Sequence, residues 1–296
     1  YLQEFGWKPK VFTPTGQPKV DEKILATVTD IPEAAMIANY LMLQKRIAQV
    51  QSWLSFLDGD RVHGSVISNG TITGRMSHRD PNMAQIPSLS SPYGKECRAC
   101  WTVPRGYKLV GVDASGLELR MLAHYLNDKE FINDILNGDI HTANQARAGL
   151  QSRSQAKTFI YAFLYGAGDA KIGQVVGGNK AQGKRVKQSF LNNFPSLKSF
   201  RNRVKREADQ RGYIKALDGR KVFIRSSHAA LNSLLQSAGA IVMKRALVIL
   251  NNKLLSSDID AHVVANVHDE WQIETWENDV DRLGSMAVDS IVEAGV

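Results

Sequence analysis

The sequence predicts an α+β fold in which antiparallel strands bracket a helical middle, and three observations carry that expectation. Residues 108–113 form a short apolar run of strand length that ends in Asp113. Residues 263–267 and 271–275 are two further runs of this kind, joined tightly through His268, Asp269 and Glu270. Between these ends, apolar residues recur at spacings of three and four, the period of an amphipathic helix. Together they suggest a sheet domain with a helical insertion.

The first element is a helix over residues 31–57, where Pro32 suits a helix start and Ile37, Leu41, Met42, Ile47, Val50 and Leu54 follow helical spacing. Residues 63–93 are rich in Gly, Ser, Pro and Asn, and a structureless loop of that length is expected only where it binds something. Cys97-Arg-Ala-Cys100-Trp reads as a strand. Its lone C-x-x-C lacks the second ligand pair of a zinc site, so both thiols are expected reduced, in an intracellular setting. Residues 116–126 look helical, residues 138–164 helical with a break near Gly149, and residues 183–211 and 229–254 helical again. Lys244 and Arg245 interrupt the best apolar run, residues 238–250, short of the roughly 18 to 20 apolar residues of a membrane span, so no membrane is expected. The opening Tyr1 and the lack of a signal pattern suggest a piece of a longer chain, with both ends treated as cuts.

The 296 residues carry 37 Lys and Arg against 29 Asp and Glu, a net +8, and a balance of 43% hydrophobic with 22% charged excludes disorder, collagen and a disulfide scaffold. The charge is unevenly spread: +4 over residues 1–112, +12 over 113–252 and −8 over 253–296. Residues 171–225 hold 15 basic and 3 acidic side chains, with Arg201, Arg203, Lys205 and Arg206 in close order, and nucleic-acid backbone is the default partner of such a density. A solvated helix face balanced by the acidic tail is the plain alternative.

Three constellations carry chemistry. In Leu109-Val-Gly-Val-Asp113-Ala-Ser-Gly-Leu-Glu118 a strand delivers a carboxylate at its end, where a sheet could hold a metal ligand open to substrate, or Asp113 could simply cap a helix. His268-Asp269-Glu270 places adjacent carboxylates on a tight turn, a crowding that a divalent cation would relieve, though a solvated hairpin tip is equally simple. Arg153-x3-Lys157-x3-Tyr161-x3-Tyr165-Gly166 stacks two cations and two rings on one helix face. No acid lies between Asp139 and Asp169, so both cations are expected to be free for an anionic ligand such as phosphate. Two decoys fall away. Gly178 to Arg185 nearly spells a P-loop but has Arg185 where a magnesium-binding hydroxyl belongs, and no G-x-S-x-G elbow accompanies the His-Asp pair.

Taken in order, Thr71-x-Thr73-Gly-Arg75 with Pro81-Asn-x-x-Gln85-Ile-Pro, then Asp113-Ala-Ser-Gly-Leu-Glu118-Leu-Arg120, the Arg153 to Tyr165 row, and His268-Asp269-Glu270 resemble the polymerase part of family A DNA polymerases over nearly the whole chain. Asp-Ala-Ser-Gly-Leu-Glu-Leu-Arg and Ala-Lys-Thr-Phe-Ile-Tyr are most similar to the replicative enzymes of T-seven-like bacteriophages. The resemblance implies a right-hand fold with an antiparallel-sheet palm and helical fingers, the thumb largely missing. Residues 1–60 would be the thumb base, 61–125 the first part of the palm, 126–224 the fingers and 225–296 the second part of the palm.

It also implies template-directed addition of dNTPs to a primer 3′-hydroxyl, with two Mg²⁺ ions held by Asp113, the Ala114 carbonyl and Asp269, and Glu270 close by in a less settled role. Arg153, Lys157 and His141 would grip the triphosphate, with Lys157 acting in catalysis. Glu118 would exclude a 2′-hydroxyl, and Tyr161 would go with ready acceptance of dideoxynucleotides. Arg75 and Gln236 would reach the minor groove, Tyr165 would stack beneath the templating base, and His268 and Gln85 would contact primer-template DNA. Ala162 departs from the family's usual Gly. Any processivity factor would bind a thumb region outside this chain, and phage origin would place the protein in a bacterial host cytoplasm. A non-catalytic nucleic-acid-binding fragment is the alternative from another class, and Glu118 argues against a single-subunit RNA polymerase.

Overall fold

The computed structural model describes residues 1–295, and the chain divides into two compact units: residues 1–66 with 78–102, and residues 67–77 with 103 onward. The first unit holds α1 (Glu22–Leu25), α2 (Pro32–Ser55), the β1 (Leu57–Asp58) and β2 (Arg61–Val62) hairpin, and α3 (Gly94–Ala99). Leu2, Leu25, Ile31 and Ala34 form its buried centre. Polar side chains of α2 hold the segment that follows: Gln49 donates to the Gln85 carbonyl at 2.7 Å and Arg46 to the Pro92 carbonyl at 3.1 Å. Trp53 meets Trp101 edge-on at 5.1 Å.

The polar stretch 63–93, too long to be expected as a plain structureless loop, holds the short strands β3 (Ser65–Ile67) and β4 (Ser77–Arg79) and a helical turn at Met83–Gln85. One expectation changes here. Cys97 to Trp101 is not a strand: Cys97 lies buried within α3, and the Cys100 thiol turns back to the Glu96 carbonyl four residues earlier, a helical spacing that local alternation hides. Both thiols are free.

The second unit opens with β5 (Tyr107–Asp113) and continues through seven helices, α4 (Leu117–Leu126), α5 (Lys129–Leu136), α6 (Ile140–Ala148), α7 (Arg153–Leu164), α8 (Asp169–Val175), α9 (Lys180–Asn192) and α10 (Pro195–Arg211). A small hairpin, β6 (Tyr213–Lys215) with β7 (Lys221–Phe223), leads to α11 (Ala230–Leu255), β8 (Ala261–Val267), β9 (Glu270–Trp276) and α12 (Val280–Ala294). Four of these helices start on side-chain caps: Asp128 for α5, Asp139 for α6, Ser152 for α7 and a full Asn179–Gln182 capping box for α9. Residues 183–211 are two helices rather than one region, because Pro195 cannot continue α9 and instead starts α10.

The antiparallel sheet runs β5–β9–β8, with β5 and β9 paired from Tyr107↔Trp276 to Asp113↔Glu270. Alternation sends Val110, Val112, Trp271 and Ile273 to one face, packed with Val242, Met243, Ala246 and Leu250 of α11 and Leu283 and Ala287 of α12. Asp113 and Glu270 end their strands on the opposite face. A second cluster lies among the helices around Phe159, Phe163, Phe190 and Phe194, and also takes Leu231, Leu234, Leu235 and Ile241 from α11. The α11 segment is therefore apolar nearly all round, with mean hydropathy 1.4 over its best 18 residues. By length and composition it could cross a membrane, but 61% of that window is buried inside the protein, as expected of a core helix.

The glycines that mimic a P-loop have a packing role. A Cβ on Gly183 of α9 would lie 2.0 Å from the Asp169 carbonyl oxygen and 2.4 Å from the Gly173 amide of α8. Gly183→Ala should therefore push α8 and α9 apart and cost about 1–3 kcal/mol, read as a lower urea midpoint at unchanged slope.

Candidate active site

The β5–β9 register puts Asp113 directly opposite Glu270, and Asp269 sits one residue back in the turn that joins β8 to β9. Since Val267 pairs with Glu270, that turn is only His268 and Asp269, and it forces His268 to φ +61. A left-handed non-glycine residue costs on the order of 1 kcal/mol and persists only where the surroundings hold it. They do so here: the Ala114 amide donates to the Asp269 carbonyl at 2.9 Å, tying the two carboxylate-bearing segments backbone to backbone. Burial pushes the Asp113 carboxyl above its ordinary value, and Asp269, Glu270 and Glu118 push it the same way. Burial raises Asp269, a backbone hydrogen bond of its own opposes this in part, and Glu118 adds to the rise ahead of the opposing charges of Arg75 and His268. Glu270 accepts from Gln272.

Concentrated negative charge of this kind favours a cation. Among the described residues no three His, Cys, Asp or Glu side chains gather as a closed cage. An ion here would be held by the two aspartates and the Ala114 carbonyl, with its other positions left to water or substrate, an oxygen set that suits Mg²⁺.

Beside the aspartates lies a buried polar knot. Glu118, in the first turn of α4, is 6% exposed and takes Arg75 in an ion pair at 2.7 Å. The Tyr165 hydroxyl donates to the same carboxylate oxygen at 3.3 Å. Arg75 arrives on a tight turn in which Thr71 Oγ1 donates to the Arg75 carbonyl at 3.2 Å. Gly74 adopts φ +80 there, with Arg220 so near that a Cβ would approach its guanidinium to 2.8 Å. Three residues before this turn, the Ser68 carbonyl accepts from Lys244 of α11 at 2.6 Å. The Thr-x-Thr-Gly-Arg motif is thus a device for presenting one guanidinium to Glu118.

On α7, Ala156, Phe159, Ile160, Phe163 and Leu164 are buried, which leaves Arg153, Lys157 and Tyr161 on the other side. Tyr161 lies close enough to the carboxylates that Glu118, Asp269 and Asp113 add to burial in raising its hydroxyl pKa. The His141 ring is 6.2 Å from the Tyr161 ring, and its buried Nδ1 has no hydrogen-bond partner. Burial, then Arg153, depress the His141 pKa, which keeps the imidazole neutral. Lys157 is exposed and without an ion-pair partner among the described residues. Arg153 is not free, contrary to the sequence expectation: its Nε meets Asp139 Oδ2 at 2.5 Å. The fourteen-residue separation lies outside any helical pairing rule, and the bend between α6 and α7 brings the two together.

The second unit therefore holds Arg75, Asp113, Ala114, Glu118, His141, Arg153, Lys157, Tyr161, Tyr165, Gln236, His268, Asp269 and Glu270, with Gln236 half-buried on α11. Gln85 belongs to the first unit, exposed, with its carbonyl taken by Gln49. Sequence reasoning missed Asp139 and Lys244. Asp139 carried one signal, an Asp two and three residues before His141 and Thr142, typical of a helix cap. Lys244 carried none, because its partner is a backbone carbonyl 176 residues away.

DNA-directed DNA polymerases of Enterobacteria phage T3 and Escherichia phage T7 are each 45% identical to this chain over 92% of its length. The match covers 44% of each phage protein, so the chain spans less than half the length of these relatives. The fold is shared with a POL domain of Pol1 from M. smegmatis, solved in complex with DNA primer-template and dNTP, at a TM-score of 0.84 and 22% identity, covering 99% of this chain and 56% of that one. The family model for DNA polymerase family A matches residues 1–295, and the chain belongs to that family.

Proposed function

We propose that this chain carries out template-directed DNA synthesis, joining a dNTP to a primer 3′-hydroxyl opposite a template base. The observation that carries the reading is the meeting of Asp113 and Asp269 with Tyr161 on the basic face of α7, close enough for both carboxylates to act on the tyrosine hydroxyl. Membership of DNA polymerase family A supports it. In this reading residues 61–125 and 225–296 act as palm, 126–224 as fingers and 1–60 as thumb base. The protein works inside the cell on primer-template DNA, and any processivity factor engages a region outside this chain.

The primer 3′-hydroxyl gives up its proton to water, its oxygen attacks the α-phosphorus, the bond from the α-phosphorus to the bridging oxygen breaks, and pyrophosphate leaves. Magnesium held by Asp113, Asp269 and the Ala114 carbonyl would supply the positive charge that steadies the attacking and departing oxygens. Lys157 and Arg153 grip the triphosphate and balance charge growing on the leaving group, and neutral His141 donates to a phosphate oxygen. Glu118, fixed by Arg75, forms a wall that leaves no room for a ribose 2′-hydroxyl. Tyr161 lies over the sugar, and Tyr165 leaves Glu118 to stack beneath the template base. Arg75 and Gln236 present donors to minor-groove acceptors common to every correct pair, and His268 faces the primer end. Glu270 assists as an auxiliary acid, and Gln85 contacts primer-template DNA from the first unit.

Primer extension on a primed template tests this. Extension should require Mg²⁺, use dNTPs in preference to rNTPs, and be lost in Asp269→Ala, while Tyr161→Phe should make dideoxynucleotides poorer terminators. Template binding with no extension under any condition would return the chain to the non-catalytic reading, and unchanged termination in Tyr161→Phe would remove that residue's assignment.

A further inference from the structure

The ion pair that occupies Arg153 has a bearing on nucleotide traffic. Arg153 is the first residue of α7, a helix end that repels cations, and α7 carries no acid in its first turn. The compensating negative charge comes from Asp139, whose Oδ2 takes both the Arg153 Nε at 2.5 Å and the Thr142 hydroxyl at 2.9 Å, while its Oδ1 accepts from the His141 amide at 3.0 Å. The carboxylate is thus built into the start of α6 by its own cap contacts and stays put whether or not Arg153 is beside it. Arg153 lies at the end of a long flexible side chain and is 57% exposed. The pairing holds the Asp139 carboxyl well below its ordinary value, so it is charged at every working pH. A phosphate brought to Arg153 and His141 meets that fixed negative charge and competes with it for one guanidinium.

We propose that Asp139 is a positioning residue that competes with the triphosphate for Arg153, weakening nucleotide binding and retaking the guanidinium so that pyrophosphate is let go. This rests on the reading of Arg153 as a triphosphate ligand. Asn and Ser cap helices as well as Asp does, so Asp139→Asn and Asp139→Ser remove the charge and keep the start of α6.

Two quantities decide the matter: equilibrium binding of dNTP to the protein on primer-template ending in a dideoxynucleotide, and inhibition of extension by pyrophosphate. Both substitutions should tighten dNTP and pyrophosphate about threefold, the scale of an exposed ion pair, with kcat falling as product release slows. Asp139→Glu, which keeps the charge, should stay close to the parent, and Asp139→Asn should have no effect once Arg153 is Ala. Weaker or unchanged pyrophosphate inhibition in Asp139→Asn, while Arg153→Ala weakens both ligands, overturns the competition and leaves the polymerase reading standing. The same tightening with Arg153 absent also overturns it. If Arg153→Ala itself moves neither ligand, the triphosphate reading of Arg153 fails and the role of Asp139 falls with it.

Discussion

Asp113→Asn should abolish synthesis and stabilise the fold at the same time. In the proposed function Asp113 is one of two aspartates at the reacting centre, so its loss removes charge that the transition state depends on, and extension should fall on the order of a thousandfold. Stability moves the other way because the folded-state pKa of Asp113 lies above its ordinary value of 3.8, with burial the largest cause and Asp269, Glu270 and Glu118 behind it. A raised carboxyl pKa means that the folded protein binds the proton more tightly than the unfolded chain does. Ionised Asp113 therefore costs stability at neutral pH, and that cost fades as pH falls through the raised value toward 3.8. Without Mg²⁺ at pH 7–8, Asp113→Asn should melt above the parent, and the gap should close on acidification through that window. Added Mg²⁺ should raise the melting temperature of the parent more than that of the variant. A variant that melts no higher at neutral pH would show that the Asp113 charge is compensated within the protein itself.

Phe190→Ala should be the most damaging single change to stability. Phe190 is fully buried, with ring centroids 5.1 Å from Phe159, 5.3 Å from Phe163 and 5.9 Å from Phe194, the three contacts edge-on. Truncation forfeits the burial of a whole ring, its edge-to-face contacts and the packing around a new cavity, about 3–5 kcal/mol together. Phe159 and Phe163 form the buried side of the helix that carries Arg153, Lys157 and Tyr161, so the loss reaches the basic row through its backing. Urea denaturation should show a much lower midpoint for Phe190→Ala, whereas Phe223→Ala, at a ring 65% exposed, should stay within about 0.5 kcal/mol of the parent. Equal midpoints for the two variants would mean that the aromatic cluster is not what holds α7 in place.

Strands with one buried face and helices with a continuous apolar stripe were legible in the sequence, because each writes its period into neighbouring residues. β5, β9, α4, α7 and α11 lie within a few residues of their expected positions. The helix at Cys97 was not legible, since six residues are too few for a period to emerge from Cys-Arg-Ala-Cys-Trp. The site was readable where one short segment carries several groups, as in the Arg153 row or His268-Asp269-Glu270. Contacts made across the fold left no local trace: Arg75 with Glu118, Arg153 with Asp139, and Lys244 with the Ser68 carbonyl are set by packing rather than by spacing. The positive φ of His268 follows from a two-residue turn length that only the strand register reveals.

The α11 helix gives Leu231, Leu234, Leu235 and Ile241 to the helical cluster, and Val242, Met243, Ala246 and Leu250 to the sheet cluster. One rod therefore belongs to both hydrophobic centres. Melting either centre strips apolar surface from a helix that the other needs intact, so within this unit the two cannot come apart as separate cooperative blocks. The helical part and the sheet part stand or fall as one, and a site assembled from both inherits the stability of the whole unit rather than that of its weaker half.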